Sequence, residues 1–233
     1  MPAPAVSILV PAYGEAATIE QVLRRAAALD LDSEIIVVDD GSQDDTAQVV
    51  ERVASELPQV RLIRHDRNRG KGAAVRTAIA ASRGEIVLVQ DADLEYDPAD
   101  IPRLIEPLQS GLADAVYGTR LRGGEPQRAH LFWHYAGNRF LSLLTNVLFN
   151  TTISDMEVGY KAFRGELVRS IRLVSDDFRF EPEITAKILR IPGIRLYEVP
   201  ISYYGRTFAE GKKITWRDGV LALGALLRFR FGS

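Results

Sequence analysis

Ile86-Val87-Leu88-Val89-Gln90-Asp91-Ala92-Asp93 is a short apolar run that ends in two carboxylates. A run this brief, closed by a polar turn, reads as a strand buried on both faces. Asp91 and Asp93 then stand at its carboxyl end, where an open α/β sheet binds its ligand. Two carboxylates straddling a small residue can share a hard divalent cation, which in turn bridges the phosphates of a nucleotide. The alternative for so small a motif is a cap or a solvated turn.

Upstream, the same unit repeats. Val6 to Val10 is an apolar run closed by Pro11, and Ile19, Val22, Leu23, Ala26 and Ala27 follow at helical spacing. Ile35 to Val38 reads as a second strand, with Val49, Val50, Val53 and Leu57 on one helical face after it. Val60 to Ile63 and the Ala-rich segment Ala73 to Ala81 make a third unit, and Ala115 to Gly118 reads as a fifth strand. Repeated βα units predict an α/β fold with a mostly parallel, Rossmann-like central sheet flanked by helices. Beyond Arg120 the pattern changes to a Gly123-Gly124-Glu125-Pro126 loop and a long apolar helix from Leu131 to Phe149. A short strand at Tyr160 to Phe163, a helix from Glu181 to Arg190 and a strand from Leu196 to Tyr203 follow. Pro200 marks that last strand as an edge. We therefore expect one domain over residues 1–233, with a nucleotide-binding half (1–120) and an acceptor half (121–233).

Composition narrows the class. With 233 residues, 46% of them hydrophobic, the chain can bury a proper core. Lys and Arg number 29 against 31 Asp and Glu, a net charge of -2, which argues against a general nucleic-acid binder. The absence of cysteine removes disulfides, thiolate nucleophiles and zinc-thiolate sites. Met1-Pro2-Ala3-Pro4 leads straight into a strand without the pattern of a signal peptide, and no segment has the length of a membrane span. The C-terminal segment Trp216 to Phe231 is amphipathic, with Arg217, Arg228 and Arg230 among its apolar residues. Two readings are open for it: a helix packed on the core, or one lying in a bilayer surface with its arginines on anionic headgroups.

Pro11-Ala12-Tyr13-Gly14-Glu15, Val38-Asp39-Asp40-Gly41-Ser42 and Gln90-Asp91-Ala92-Asp93 all follow strands. In adjacent parallel strands they would converge on one crevice, where clustered carboxylates need a cation or a hydrogen-bonded ligand. Tyr13 offers a stacking face for a base. The loop Asp66-Arg67-Asn68-Arg69-Gly70-Lys71-Gly72 is basic and precedes a helix, yet it fails the Walker pattern because Gly, not Ser or Thr, follows Lys71. It also fails the dinucleotide fingerprint because Val75 replaces the third glycine. It is either an ordinary Gly-rich turn or a contact from Lys71 or a backbone N–H to the nucleotide.

Taken together, these stretches resemble the family-two glycosyltransferases of the GT-A fold, and within them the polyprenyl-phosphate sugar synthases of the dolichyl-phosphate mannose synthase type. The resemblance covers nearly the whole chain. Beyond the acidic turns and Asn68-Arg69-Gly70-Lys71-Gly72 it includes Gly118-Thr119-Arg120, Asp155-Met156-Glu157-Val158-Gly159-Tyr160-Lys161 and Arg206-Thr207-Phe208-Ala209-Glu210-Gly211-Lys212. It implies that Pro11, Tyr13, Glu15, Asp39 and Asp40 hold the nucleoside, and that Asp91-Ala92-Asp93 meets the nucleotide and its cation. Asp91 and Asp93, with Glu95 where the family often has Gln, would hold magnesium or manganese, while Arg120, Arg206 and Lys212 grip phosphates. The implied donor is GDP-mannose, with UDP-glucose next, and the implied acceptor is a polyprenyl or dolichyl phosphate, or else a small soluble hydroxyl compound. A phosphate acceptor needs no strong base, whereas a hydroxyl acceptor would draw on Asp155 or Glu181; those two residues read equally as a turn cap and a helix N-terminal charge. One departure concerns the acceptor side: His134 and Asn138 stand where such synthases tend to carry Arg and Ser. The expected location is cytoplasmic, peripheral on the cytoplasmic face of a membrane.

Rival classes fit less well. A signalling receiver domain also has paired Asp residues and a Thr after successive strands, but this chain has an extra βα unit ahead of Asp39-Asp40 and more than a hundred residues beyond Thr119. The failed glycine fingerprint disfavours a dinucleotide oxidoreductase. A silent sugar-nucleotide binder has no need of an intact cation pair.

Overall fold

The computed structural model describes residues 3–122, 132–205 and 216–232. Its elements are β1 (Val6–Ala12), α1 (Ile19–Ala27), β2 (Ser33–Asp39), α2 (Thr46–Glu56), β3 (Val60–Arg64), α3 (Lys71–Ala81), β4 (Ile86–Val89), α4 (Ile101–Gln109), β5 (Ala115–Thr119), α5 (Phe132–Phe149), β6 (Lys161–Arg164), α6 (Gly165–Ser170), α7 (Phe180–Leu189), β7 (Leu196–Pro200) and α8 (Trp216–Phe231). The strands form one sheet in the order β3-β2-β1-β4-β6-β5-β7. All neighbours run parallel except β6, which is antiparallel to both β4 and β5.

The central strands are apolar throughout because helices cover both faces: Ile8, Leu9 and Val10, and Ile35 through Val38, are all 0% exposed. Burying each such side chain contributes roughly 1.5–3 kcal/mol. The helices follow from their spacing. Ile19, Val22, Leu23 and Ala26 of α1 face the core, while Glu20 and Arg24 pair on the outer face at 2.9 Å.

Three details differ from the sequence expectation. First, β1 does not close at Pro11 but runs on to Ala12. Its pairing with β4 ends at Leu9 opposite Val89, so the N–H that Pro11 lacks has no carbonyl of β4 to meet. Second, α4 and α6 are additional helices. Pro102 lies in the first turn of α4, where no intrahelical donor is needed, and Pro107 sits inside it; together they mask the period. Third, β7 stops at Pro200, and Tyr203 instead bridges Tyr96 on its own. As expected, β7 is an edge strand.

This topology sets up the site. β1 lies between β2 and β4, so the turns after all three open on the same edge of the sheet. Because β6 is antiparallel, its first residue, Lys161, lies opposite Val89 at the carboxyl end of β4. The segment leading into β6 is thereby brought beside Asp91.

Candidate active site

The first acidic turn is built around Glu15 and Thr18. The Glu15 amide donates to Thr46 Oγ1 at 2.9 Å, and the Thr18 hydroxyl reaches both Glu15 Oε2 (3.1 Å) and the carbonyl of Ala92 (2.8 Å). Thr18 therefore ties the turn after β1 to Asp91-Ala92-Asp93. Gly14 has φ +66° and donates its amide to Ser42 Oγ at 3.0 Å, linking the same turn to the one after β2. Tyr13 is 40% exposed above this edge, and Pro11 sits half-buried beneath it.

Asp39 and Asp40 have different surroundings. Asp39 is buried; its Oδ1 accepts from the Ser42 amide at 3.3 Å, while its Oδ2 has no hydrogen-bond donor and only Arg64 at 3.9 Å. A buried carboxylate oxygen without a donor is costly, and it is the kind of acceptor a nucleobase N–H satisfies. Asp40 is engaged inside the protein. It meets His65 Nδ1 at 2.6 Å and accepts from the amides of Arg69 (3.0 Å) and Gly70 (2.7 Å), and His65 Nε2 contacts Thr77 Oγ1 at 2.9 Å. Asp40 thus anchors the basic loop.

Part of that loop's backbone is engaged within the protein. Two of its amides are taken by Asp40, and the Ala73 amide at the start of α3 donates to the carbonyl of Asp176 at 3.0 Å. A Cβ on Gly70 or Gly72 would overlap the backbone of residues 175–177, so glycine is required for this close packing. What remains is the Lys71 side chain, whose ammonium lies 2.8 Å from Asp91 Oδ1 and 3.1 Å from Glu181 Oε1. Burial pulls the Lys71 pKa down, but the two carboxylates outweigh it and hold the group well above the usual lysine range.

Asp93 shares the turn with Asp91. Its Oδ1 accepts from the Glu95 amide at 3.1 Å, and the intervening Leu94 has φ +63°, a conformation rare for a bulky residue. The Glu95 carboxylate meets the segment after β7, where its Oε2 accepts from the Tyr203 hydroxyl at 2.9 Å. Among the described residues no group of three or more His, Asp or Glu side chains is placed to hold a metal. Asp91 and Asp93 are nevertheless hard oxygen donors that would suit a magnesium or manganese ion, since such ions commonly take one or two carboxylates and complete their shell with phosphate oxygens and water.

At the end of β5 Arg120 and Asp155 form a buried pair. Arg120 Nε and its backbone amide reach Asp155 Oδ2 at 2.7 and 3.0 Å, and Nη2 reaches Oδ1 at 2.8 Å. Asn138 Nδ2 donates to the same Oδ1 at 2.7 Å. Asn138, where the family pattern departs, therefore supports Asp155. Burial would lower the Arg120 pKa, yet Asp155 raises it overall; burial likewise raises Asp155, but Arg120 dominates and the carboxyl ends below its ordinary range. The guanidinium stacks over Tyr203 at 4.9 Å, and Tyr203 and Tyr160 flank Tyr96. Arg206 and Lys212 lie outside the described residues.

Two groups in this region had no assigned role. Lys161 is fully buried and donates to Glu181 and to the carbonyls of Met156 (3.0 Å) and Val158 (2.6 Å). The signal was present in the sequence, since a lysine inside Tyr160 to Phe163 demands a buried partner. Glu157 lies between the two ion-paired clusters, and its Oε1 is buried without a partner. Burial, partly offset by Lys161 and reinforced by Glu181, pushes it from 4.5 to about 7. The native state therefore holds a proton that the unfolded chain releases near pH 4.5. The resulting stabilisation is fully present below that pH and is lost as pH rises through about 7. Glu157→Gln is expected to flatten the decline in Tm between pH 5 and 8; an unaltered slope would place the titrating group elsewhere.

Comparison with known proteins supplies the class. A crystal structure of glucosyl-3-phosphoglycerate synthase from Mycobacterium tuberculosis, in complex with Mn2+, UDP and phosphoglyceric acid, superposes with a TM-score of 0.76 at 22% identity, covering 98% of this chain and 79% of that one. The fold is accordingly GT-A, that of nucleotide-sugar glycosyltransferases. Residues 7–172 match the sequence model of glycosyl transferase family 2, and the chain belongs to that family. It is 31% identical over 219 residues to an undecaprenyl-phosphate mannosyltransferase of Micrococcus luteus, covering 89% of this chain and 86% of the relative. It is 29% identical over 210 residues to a dolichol-phosphate mannosyltransferase of Pyrococcus furiosus, with 89% and 58% covered. Against the glycosyltransferase AglD of Haloferax volcanii, 31% identical over 216 residues, it covers 85% of this chain and spans only 33% of that longer protein.

Proposed function

We propose that the protein transfers a hexose, with inversion, from a nucleotide sugar to a polyprenyl phosphate, with GDP-mannose the first-choice donor and UDP-glucose the second. The observation that carries the donor half is the pairing of Lys71 with Asp91, one step from Asp93, at the shared mouth of β1, β2 and β4. Tyr13, Glu15 and Asp39 line the same edge as a nucleoside site, with the unpartnered Asp39 Oδ2 as acceptor for the base. Asp40 serves indirectly by holding the loop that carries Lys71. A bound magnesium or manganese ion would neutralise charge on the departing diphosphate. Lys71 adds a fixed positive charge at the same place, and Arg120, held by Asp155, orients an incoming phosphate.

The acceptor assignment draws on the names of the relatives and on the state of the carboxylates. Asp155 and Glu181, the bases that a hydroxyl acceptor would call for, are both locked in ion pairs. A phosphate is already ionised and needs neither. A second reading turns on Glu157, whose carboxyl is pushed up by burial to about 7, the range that suits a general base for a small hydroxyl acceptor. The two readings separate cleanly, since Glu157→Gln would spare transfer to a polyprenyl phosphate and abolish transfer to a hydroxyl compound. For the donor, a panel of nucleotide sugars with manganese is expected to raise Tm most with GDP-mannose. No stabilisation by any nucleotide sugar would refute the enzyme.

Membrane contact is part of the same proposal. None of the described helices is long and apolar enough to cross a bilayer. The helices α5 and α8 pack together and leave Trp133 81%, Val147 73% and Phe231 74% exposed, and α5 contains no acidic residue. The two C-terminal phenylalanines differ: Phe229 packs inward on Ala186 and Ala225, so only Phe231 of the pair faces outward. Trp133→Ala combined with Phe231→Ala is expected to reduce co-sedimentation with anionic liposomes. Unchanged partition would assign this face to something other than a bilayer.

A further inference from the structure

Glu181 has no part in the reaction as described, yet it is buried, at the first turn of α7, between two lysines from separate parts of the chain. One of its oxygens, Oε1, lies 3.1 Å from the Lys71 ammonium as an ion pair without hydrogen-bond geometry, and the other receives Lys161. Lys71 opens α3 on the donor side, whereas Lys161 opens β6 and donates to the carbonyls of Met156 and Val158 in the segment that passes over Asp91. That segment has no spare room, because a Cβ on Gly159 would overlap the Asp91 carboxylate. Charges therefore alternate along one line: Asp91, Lys71, Glu181, Lys161.

We infer that Glu181 is a positioning residue that holds Lys71 in place for the departing diphosphate and, through Lys161, fixes the Met156–Val158 turn beside it. The inference rests on the proposed donor site. Were Asp91 to hold a cation carried in by the nucleotide, Lys71 would lose the nearer of its two partners. Glu181 then keeps the ammonium from swinging toward solvent and leaves its remaining N–H groups for diphosphate oxygens. Lys161 has the complementary duty: its three protons are matched by Glu181 and two carbonyls, so it cannot serve a ligand. The two lysines that share one carboxylate thus divide into a ligand-facing group and a structural one.

The test is the preference for a nucleoside diphosphate over the matching monophosphate, with Mn2+ present, read by calorimetry alongside kcat and KM for the donor. Glu181→Gln is expected to weaken diphosphate binding about 10- to 100-fold while leaving monophosphate binding unchanged. Lys71→Met should do the same, and the double variant should add nothing further. Glu181→Gln strands Lys161 in the interior, so Glu181→Gln with Lys161→Met serves as the folded control, removing both charges of that pair. Persistence of the diphosphate defect in this folded control supports positioning. A control that keeps the wild-type preference, or independent additive losses from Lys71 and Glu181, overturns the inference and leaves Glu181 as a neutraliser of Lys161. Failure of the wild-type protein to bind any nucleoside diphosphate would instead overturn the donor site itself, and the inference with it.

Discussion

Asp93→Ala is expected to lose about 10³-fold in donor turnover with little change in Tm. The side chain is only partly buried, and its amide contact to Glu95 is worth about 1 kcal/mol. The catalytic loss is larger because the carboxylate serves a charge that develops only as the sugar–phosphate bond breaks. Asp91→Ala should lose as much and should also release Lys71 from its nearer partner. The measurement is the manganese dependence of donor hydrolysis and transfer, with Tm recorded on the same samples. Normal, metal-responsive turnover in Asp93→Ala would remove the cation from this turn. Asp40→Ala provides the contrast, since its contacts are to His65 and to the loop amides: it should destabilise the loop first and affect turnover only through Lys71.

Asp155→Asn is expected to cost about 3–5 kcal/mol of stability, because it strands Arg120 as an uncompensated buried charge. Arg120→Met with Asp155→Leu should recover most of that loss, since both charges leave together, while turnover stays low for want of the guanidinium. Denaturant midpoints and kcat on the same variants decide the matter. Equal stability of Asp155→Asn and the wild type would mean that Arg120 does not depend on this carboxylate. The pH dependence has the opposite sense to that of Glu157. The Asp155 pKa is depressed in the native state, so its contribution is present above the ordinary value of 3.8 and is lost as pH falls through the native one. Wild-type stability should therefore erode in both directions: in acid through Asp155, and as pH rises from about 4.5 to about 7 through Glu157.

The parallel strands and the acidic turns that follow them were legible in the chain, whereas the strand order, with β6 inserted antiparallel, was not. Ile86 to Val89, Ile35 to Val38 and Val6 to Val10 are continuous apolar runs because each strand is buried on both faces, and that requirement is written into consecutive residues. The helices α1, α2 and α3 were legible for the same local reason. Less visible was α4, whose prolines break the pattern although one falls where a helix tolerates it. The contacts of Asp40 and Glu95 were not legible: each follows a strand close to another acidic residue, and only the folded loops direct one to His65 and the other to Tyr203.

Local periodicity thus carried the α/β architecture and the placement of the acidic turns at strand ends, since these depend on neighbours a few residues apart, while the family was carried by the ordered motifs along the chain. Tertiary structure alone selected which charges meet. Lys71 with Glu181, Lys161 with Glu181, and Arg120 with Asp155 are joined by the antiparallel insertion of β6 and by the placement of α7, whose first turn carries Glu181 to both lysines. A charge removed from water takes whichever opposite charge the fold delivers, and no spacing rule along the chain encodes a partner that arrives from another strand.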